Sequence, residues 1–134
     1  MLKAEDQVEI RELYARYNRA LDAGEPAEWV RTFTPDGIFH HPACSYIGPS
    51  ALARFVNERN IKLKQHPVSR QRHWNDAIVI SGNADRAAGA CDLIITGTSA
   101  ATRKPEIVAC GRYVDELVHT STGWRFAVRK LAVV

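Results

Sequence analysis

Long apolar runs are missing from this chain; none approaches the ~18 residues that a membrane span needs. Cysteine is scarce. Cys44, Cys91 and Cys110 lie too far apart for a CxxC redox pair or a zinc-ligand spacing, and an odd set of three suits a reducing compartment. Cys91 and Cys110 sit in apolar, strand-like surroundings and read as small core residues. No glycine-rich phosphate loop, G-x-S-x-G elbow, internal repeat or low-complexity tract is present. His40 and His41 are adjacent and diverge, so they offer no paired metal ligands. The opening MLKAEDQVEI is acidic and helical in pattern, unlike a secretion signal. A cytoplasmic chain that meets no membrane is expected.

Strong charge of either sign is also missing: the formal net charge is +3. One acid-free stretch, from Arg59 to Arg72, is basic through Arg59, Lys62, Lys64, Arg70 and Arg72. It lacks interleaved aromatics and any nucleic-acid motif, so it reads as a solvated loop, with no nucleic-acid partner.

At 134 residues the chain suits one domain, residues 1–134. Ile10, Leu13, Tyr14, Tyr17 and Leu21 recur at helical spacing, with Asp6 and Glu9 as a capping box and Gly24 as a stop. EPAEWVRTF predicts a short second helix, PDGIFHHP a turn and brief strand, and GPSALARFVNERNIK a third helix with Leu52, Phe55 and Val56 inward. Beyond it, turn-rich breaks divide four long strands at about 69–81, 86–98, 107–120 and 123–133. Helices followed by a strand meander define an α+β fold, and a long curved sheet covered by helices leaves room for an interior pocket.

SRQRHWNDAIVI is unusual for a strand, because its first half carries His73, Asn75 and Asp76. Strict alternation puts Gln71, His73, Asn75, Ala77 and Val79 on one face and Arg72, Trp74, Asp76, Ile78 and Ile80 on the other. The pattern does not say which face meets the helices. Asp22, in the last turn of helix 1, opposes the helix dipole, which points either to a partner or to a solvated end. Asp92 stands in the apolar run ACDLIITG and needs a partner if buried. Alternation on the last strand pairs Arg125 with Arg129 on one face and Trp124 with Phe126 and Val128 on the other. Either arginine could be a counter-charge, and surface placement is the simpler reading of both.

YNRALDAGEPAEWVRTFTPDGIF, GPSALARF, RHWNDAIVISGNADRA and GRYVDELVHTSTGWRFAVRK, in that order, resemble the SnoaL-like branch of the nuclear transport factor 2-like superfamily. The resemblance implies a cone-shaped α+β barrel, with three N-terminal helices wrapping a strongly curved antiparallel sheet, and a homodimer formed through the sheet's outer face. Its relatives include dehydratases, isomerases, cyclases and dioxygenase small subunits, so fold leaves function open. By resemblance to the dehydratases, Tyr17, Asp22 and His73 are the expected catalytic residues. Tyr14, Asn18, Phe39, Asn75, Asp92 and Arg129 are expected to contact the ligand. The family often has an Asn four residues after the His; here that position is Ala77. The implied activity is dehydration or isomerisation of a small, apolar, ring-containing carbonyl compound without metal or cofactor. A non-catalytic binding domain and a dioxygenase small subunit are the rivals. Epoxide hydrolysis through Asp92 and Arg129 is a thinner one.

Overall fold

The computed structural model describes all 134 residues. Its elements are α1 (Ala4–Ala23), α2 (Pro26–Val30), β1 (Phe33–His40), β2 (Ser45–Ile47), α3 (Gly48–Leu63), β3 (Val68–Gly82), β4 (Arg86–Ser99), β5 (Pro105–Thr120) and β6 (Gly123–Val133). The strands form one sheet in the order β2-β1-β6-β5-β4-β3. The fold is α+β, as expected, and the sheet is curled rather than closed, with β2 and β3 as free edges. It is not wholly antiparallel, because β1 returns beside β6 in the parallel sense.

Helix α1 begins earlier than its sequence suggests, which reassigns both expected capping acids. Asp6 lies inside the first turn, where it accepts from the Lys3 backbone N–H at 3.3 Å and from Trp124 Nε1 at 3.0 Å. Glu9 accepts the Trp124 backbone N–H at 3.1 Å. The two acids thus pin α1 to the start of β6. Gly24, at φ 69°, closes the helix in the left-handed conformation that only glycine adopts without strain.

Ile10, Leu13, Tyr14, Tyr17 and Leu21 are all buried against the concave sheet face. Each such aliphatic contributes about 1.5–3 kcal/mol by leaving water. Trp29 of α2 and Leu52 and Val56 of α3 complete the core, and Phe55 packs at its edge.

Two of the sheet's β-bulges set the inward side chains around the site. In β3, the pairing steps from Asp76↔Asp92 to Val79↔Ala90, and Ala77 takes a positive φ of 49°. The extra residue reverses the alternation. His73 and Asn75 share the concave face with Ile78 and Ile80, while Val79 is exposed. Strict alternation therefore misassigns the second half of the strand. In β6, Glu116↔Val128 is followed by Leu117↔Phe126, so Ala127 is unpaired. That bulge brings Arg129 to the face of Trp124 and Phe126, fully buried, contrary to the expected surface placement.

Candidate active site

Between α1, α3 and the concave sheet lies a cavity of about 230 Å³. Tyr17 and Leu21 line it from α1, Phe39 and Tyr46 from the short strands, Phe55 and Arg59 from α3, and His73 from β3. Leu93, Ile95, Tyr113 and Leu131 form its sheet wall. It is smaller than the ~300–1,000 Å³ pockets of drug-sized ligands, a size for one or two rings.

His73 and Asp22 meet at this cavity. Asp22 Oδ1 lies 2.6 Å from His73 Nδ1, and both carboxylate oxygens accept the His73 backbone N–H, at 3.1 and 3.2 Å. The last turn of α1 places Asp22 behind the ring, outside the cavity lining. Its use as a partner explains a carboxylate at an unfavourable helix end. Burial holds the imidazole below its ordinary pKa, the bond to Asp22 works against that shift, and Arg59 adds to it. At neutral pH the ring is then neutral, with Nδ1–H donating to Asp22 and the Nε2 lone pair free of any protein partner.

Tyr17 is fully buried at the cavity floor, its hydroxyl 3.4 Å from that of Tyr113. Burial pushes both phenols upward, so both remain neutral donors. Beneath them lies Arg129, its guanidinium over the rings of Tyr113 at 3.5 Å, Tyr17 at 4.2 Å, Phe126 at 4.5 Å and Tyr14 at 4.8 Å. Its counter-charge is Asp115, with Nε 3.0 Å from Oδ1. The atoms are close but poorly aligned for a hydrogen bond, so the attraction is mainly coulombic. Tyr14 donates to the other Asp115 oxygen. Burial raises the Asp115 pKa against the opposing pull of Arg129. Arg129 itself is disfavoured as a cation by burial, but Asp115 and the tyrosines more than offset this.

Not every expected residue reaches the cavity. Phe39 lines it. Tyr14 and Arg129 instead belong to the buried cluster below. Asn18 donates to Asn75 at 2.8 Å, and Asn75 donates to the Asp92 carbonyl at 3.2 Å, tying α1 to the sheet beside the cavity. Asp92 lies on the outer face, half-exposed and paired with Arg112 at 3.1 Å, so the expectation of ligand contact fails for it. Side chains alternate across a strand, and its neighbours Cys91 and Leu93 take the inner positions. That placement also removes the Asp92–Arg129 pairing on which epoxide hydrolysis depended.

Asp115, Tyr113 and Arg59 were not anticipated. Tyr113, Asp115 and Leu117 alternate along one face of β5, and an acid within that apolar face was the available signal. Arg59 follows Phe55 by four residues and Leu52 by seven, so it continues the apolar stripe of α3 rather than beginning a solvated loop.

A curled sheet folded over helices around a small cavity defines the NTF2-like, cystatin-like class of α+β proteins, and this chain falls within it. It belongs to the SnoaL-like domain family, whose pattern matches residues 3–130. Rv3472 of Mycobacterium tuberculosis, a protein of unknown function solved as an Asp-to-Asn variant, is similar in structure. Its TM-score is 0.87 at 26% identity, with 98% of this chain and 78% of that one covered. A Catenulispora acidiphila protein solved with S-DNPA matches at TM-score 0.82 and 27% identity, covering 98% of this chain and 95% of that one. A Novosphingobium aromaticivorans protein provisionally assigned as a scytalone dehydratase shares the fold at TM-score 0.79 and 20% identity, covering 96% and 83%. No curated protein matches the chain in sequence.

Proposed function

We propose that this single-domain chain is an acid–base enzyme, a dehydratase or isomerase of a small ring-containing carbonyl compound. The observation that carries this reading is the 2.6 Å contact of His73 Nδ1 with Asp22, which leaves Nε2 free at the cavity. Nε2 removes a proton from the carbon beside the carbonyl, and the electron pair moves onto the oxygen as an enolate. Asp22 fixes the tautomer and stabilises the imidazolium as it forms. The Tyr17 hydroxyl turns its proton from the Tyr113 oxygen to the enolate oxygen. The imidazolium then returns its proton. Delivered to a β-hydroxyl, it releases water and leaves a carbon–carbon double bond; delivered to another carbon, it shifts an existing one. These steps require no metal or organic cofactor.

The test is native mass spectrometry of the purified protein, to identify any carried ligand, followed by turnover of that compound and related β-hydroxy ketones. His73→Ala and Asp22→Asn should each abolish turnover while the thermal transition remains cooperative. Turnover that survives His73→Ala would exclude the mechanism. A pocket that binds its ligand but never turns it over would favour the non-catalytic rival.

The outer sheet face exposes Trp74, Val79, Ile94, Ile107 and Val114, an apolar area that suits pairing with a second copy. We place the homodimer contact there. Sedimentation of wild type against Trp74→Glu/Val114→Glu tests this, with a monomeric wild type excluding it.

A further inference from the structure

Arg59 brings a cation to the cavity with no carboxylate within 4.0 Å to neutralise it. Only one of its N–H groups has a protein acceptor: Nη1 donates to the Leu21 carbonyl at 3.2 Å, which anchors the side chain against α1. The remaining donors have no partner in the protein. Burial lowers the Arg59 pKa, so the charge is held in surroundings that solvate it poorly.

Asp22 pulls on this charge from a distance and partly offsets the burial, but it makes no ion pair with Arg59, and the other charges around the cavity do not balance it. Glu58 also reaches the lining, but its Oε1 pairs with Arg54 Nε at 3.3 Å. Lys62 adds a second cation one turn along the same helix. Burial and Lys62 lower the His41 pKa, so that ring stays neutral at neutral pH and adds no charge of its own. Asp22 is turned toward His73. The result is an apolar chamber with aromatic walls at Phe39, Tyr46 and Phe55 and a positive strip along one wall.

We propose that the substrate carries a carboxylate, which Arg59 binds, with Lys62 assisting at the mouth. Arg59 offers several N–H groups in a planar fork that suits two carboxylate oxygens, a geometry that an ammonium cannot copy. The carboxylate sets the ring against Phe55 and Phe39 and so orients the reacting carbon toward His73. Arg59 is thus a specificity residue of the cavity. The inference rests on the functional reading above in its choice of cavity, but it is tested by binding and not by turnover.

The experiment is isothermal titration of the purified full chain at neutral pH with cinnamate, 1-naphthoate and salicylate, each beside its methyl ester. At least one acid should bind ten times or more tightly than its ester. In Arg59→Met that preference should fall by about tenfold or more, a change of ~1.4 kcal/mol, with the ester affinity unchanged. Arg59→Lys should restore part of it, and His73→Ala should leave it intact. Equal binding of acids and esters, no binding of any acid, or a preference that survives Arg59→Met would each overturn the proposal. If His73→Ala abolishes turnover while the preference is missing, the carboxylate inference fails alone. If the preference is present but no compound is turned over, the catalytic reading fails alone.

Discussion

Arg129 and Asp115 form an ion pair, Nε to Oδ1 at 3.0 Å, whose side chains are both wholly buried. The pair lies below the cavity floor, and the rings of Tyr17 and Tyr113 separate it from the ligand space. Its position makes it a foundation of the site, since the phenols that face the cavity rest on the guanidinium.

Removing one member of that pair should cost far more than removing both. Arg129→Met strands a carboxylate, and Asp115→Leu strands a guanidinium; each should lower unfolding free energy by about 3–5 kcal/mol. Arg129→Met combined with Asp115→Leu should recover much of that loss. Urea titrations of the four proteins measure the coupling, and purely additive losses would show that the two charges act independently.

Gly89 stands directly across the β4–β5 ladder from Asp115, and a Cβ there would collide with the Tyr14 hydroxyl. The absent side chain is what admits the phenol to the carboxylate. Gly89→Ala should therefore destabilise the protein by roughly 1–3 kcal/mol through overpacking. Adding Tyr14→Phe should restore part of that loss, because the clashing oxygen is removed. Thermal melts of the single and double variants decide it.

The Ala77 bulge reverses the usual preference for β-branched residues in strands. Ala77→Val, favourable by propensity, should cost about 1–2 kcal/mol, because a left-handed φ suits it poorly. Ala77→Gly should be neutral or slightly stabilising. Equal tolerance of Val and Gly in denaturant unfolding would contradict a bulge at this residue.

His73 should titrate below its ordinary value of about 6.5, since burial disfavours the imidazolium. Arg59 and Arg129 act in the same sense, and Asp22 opposes them. The sign for stability follows. Above about 6.5 both folded and unfolded rings are neutral, and this contribution is fully present. As pH falls, the unfolded ring takes up its proton first, and the stabilisation is lost through the lowered folded pKa. Ring-proton NMR should show the depressed midpoint. His73→Gln should flatten the stability change between neutral and mildly acidic pH, and an unaltered slope would assign it to other groups.

Much of the architecture was legible locally. The 3.6-residue stripe of α1, the stop at Gly24 and the turns between long strands depend on neighbouring residues alone, so element order and the α+β class follow from them. His73 and Asp22 could also be proposed together, but through family resemblance rather than spacing, because 51 positions separate them along the chain. Asp92 shows the cost of reasoning without a direction for the strand: the resemblance implied ligand contact for a carboxylate in an apolar run, yet alternation turned it outward to Arg112.

By itself, then, the sequence determined the helices, the strands, their order and the polar residues available for chemistry, because periodicity and capping act over a few residues. Only the tertiary structure decided which of those polar residues met. Single extra residues at Ala77 and Ala127 reversed the alternation of β3 and β6, setting Ile78 and Arg129 inward. Such a bulge leaves little trace in residue type, because what fixes it is register against the neighbouring strand. Arg59 and Asp115 carried local signals, a place on the α3 stripe and one on the buried face of β5, but only packing supplied their partners. Their neighbours across space, not along the chain, gave each charge its surroundings.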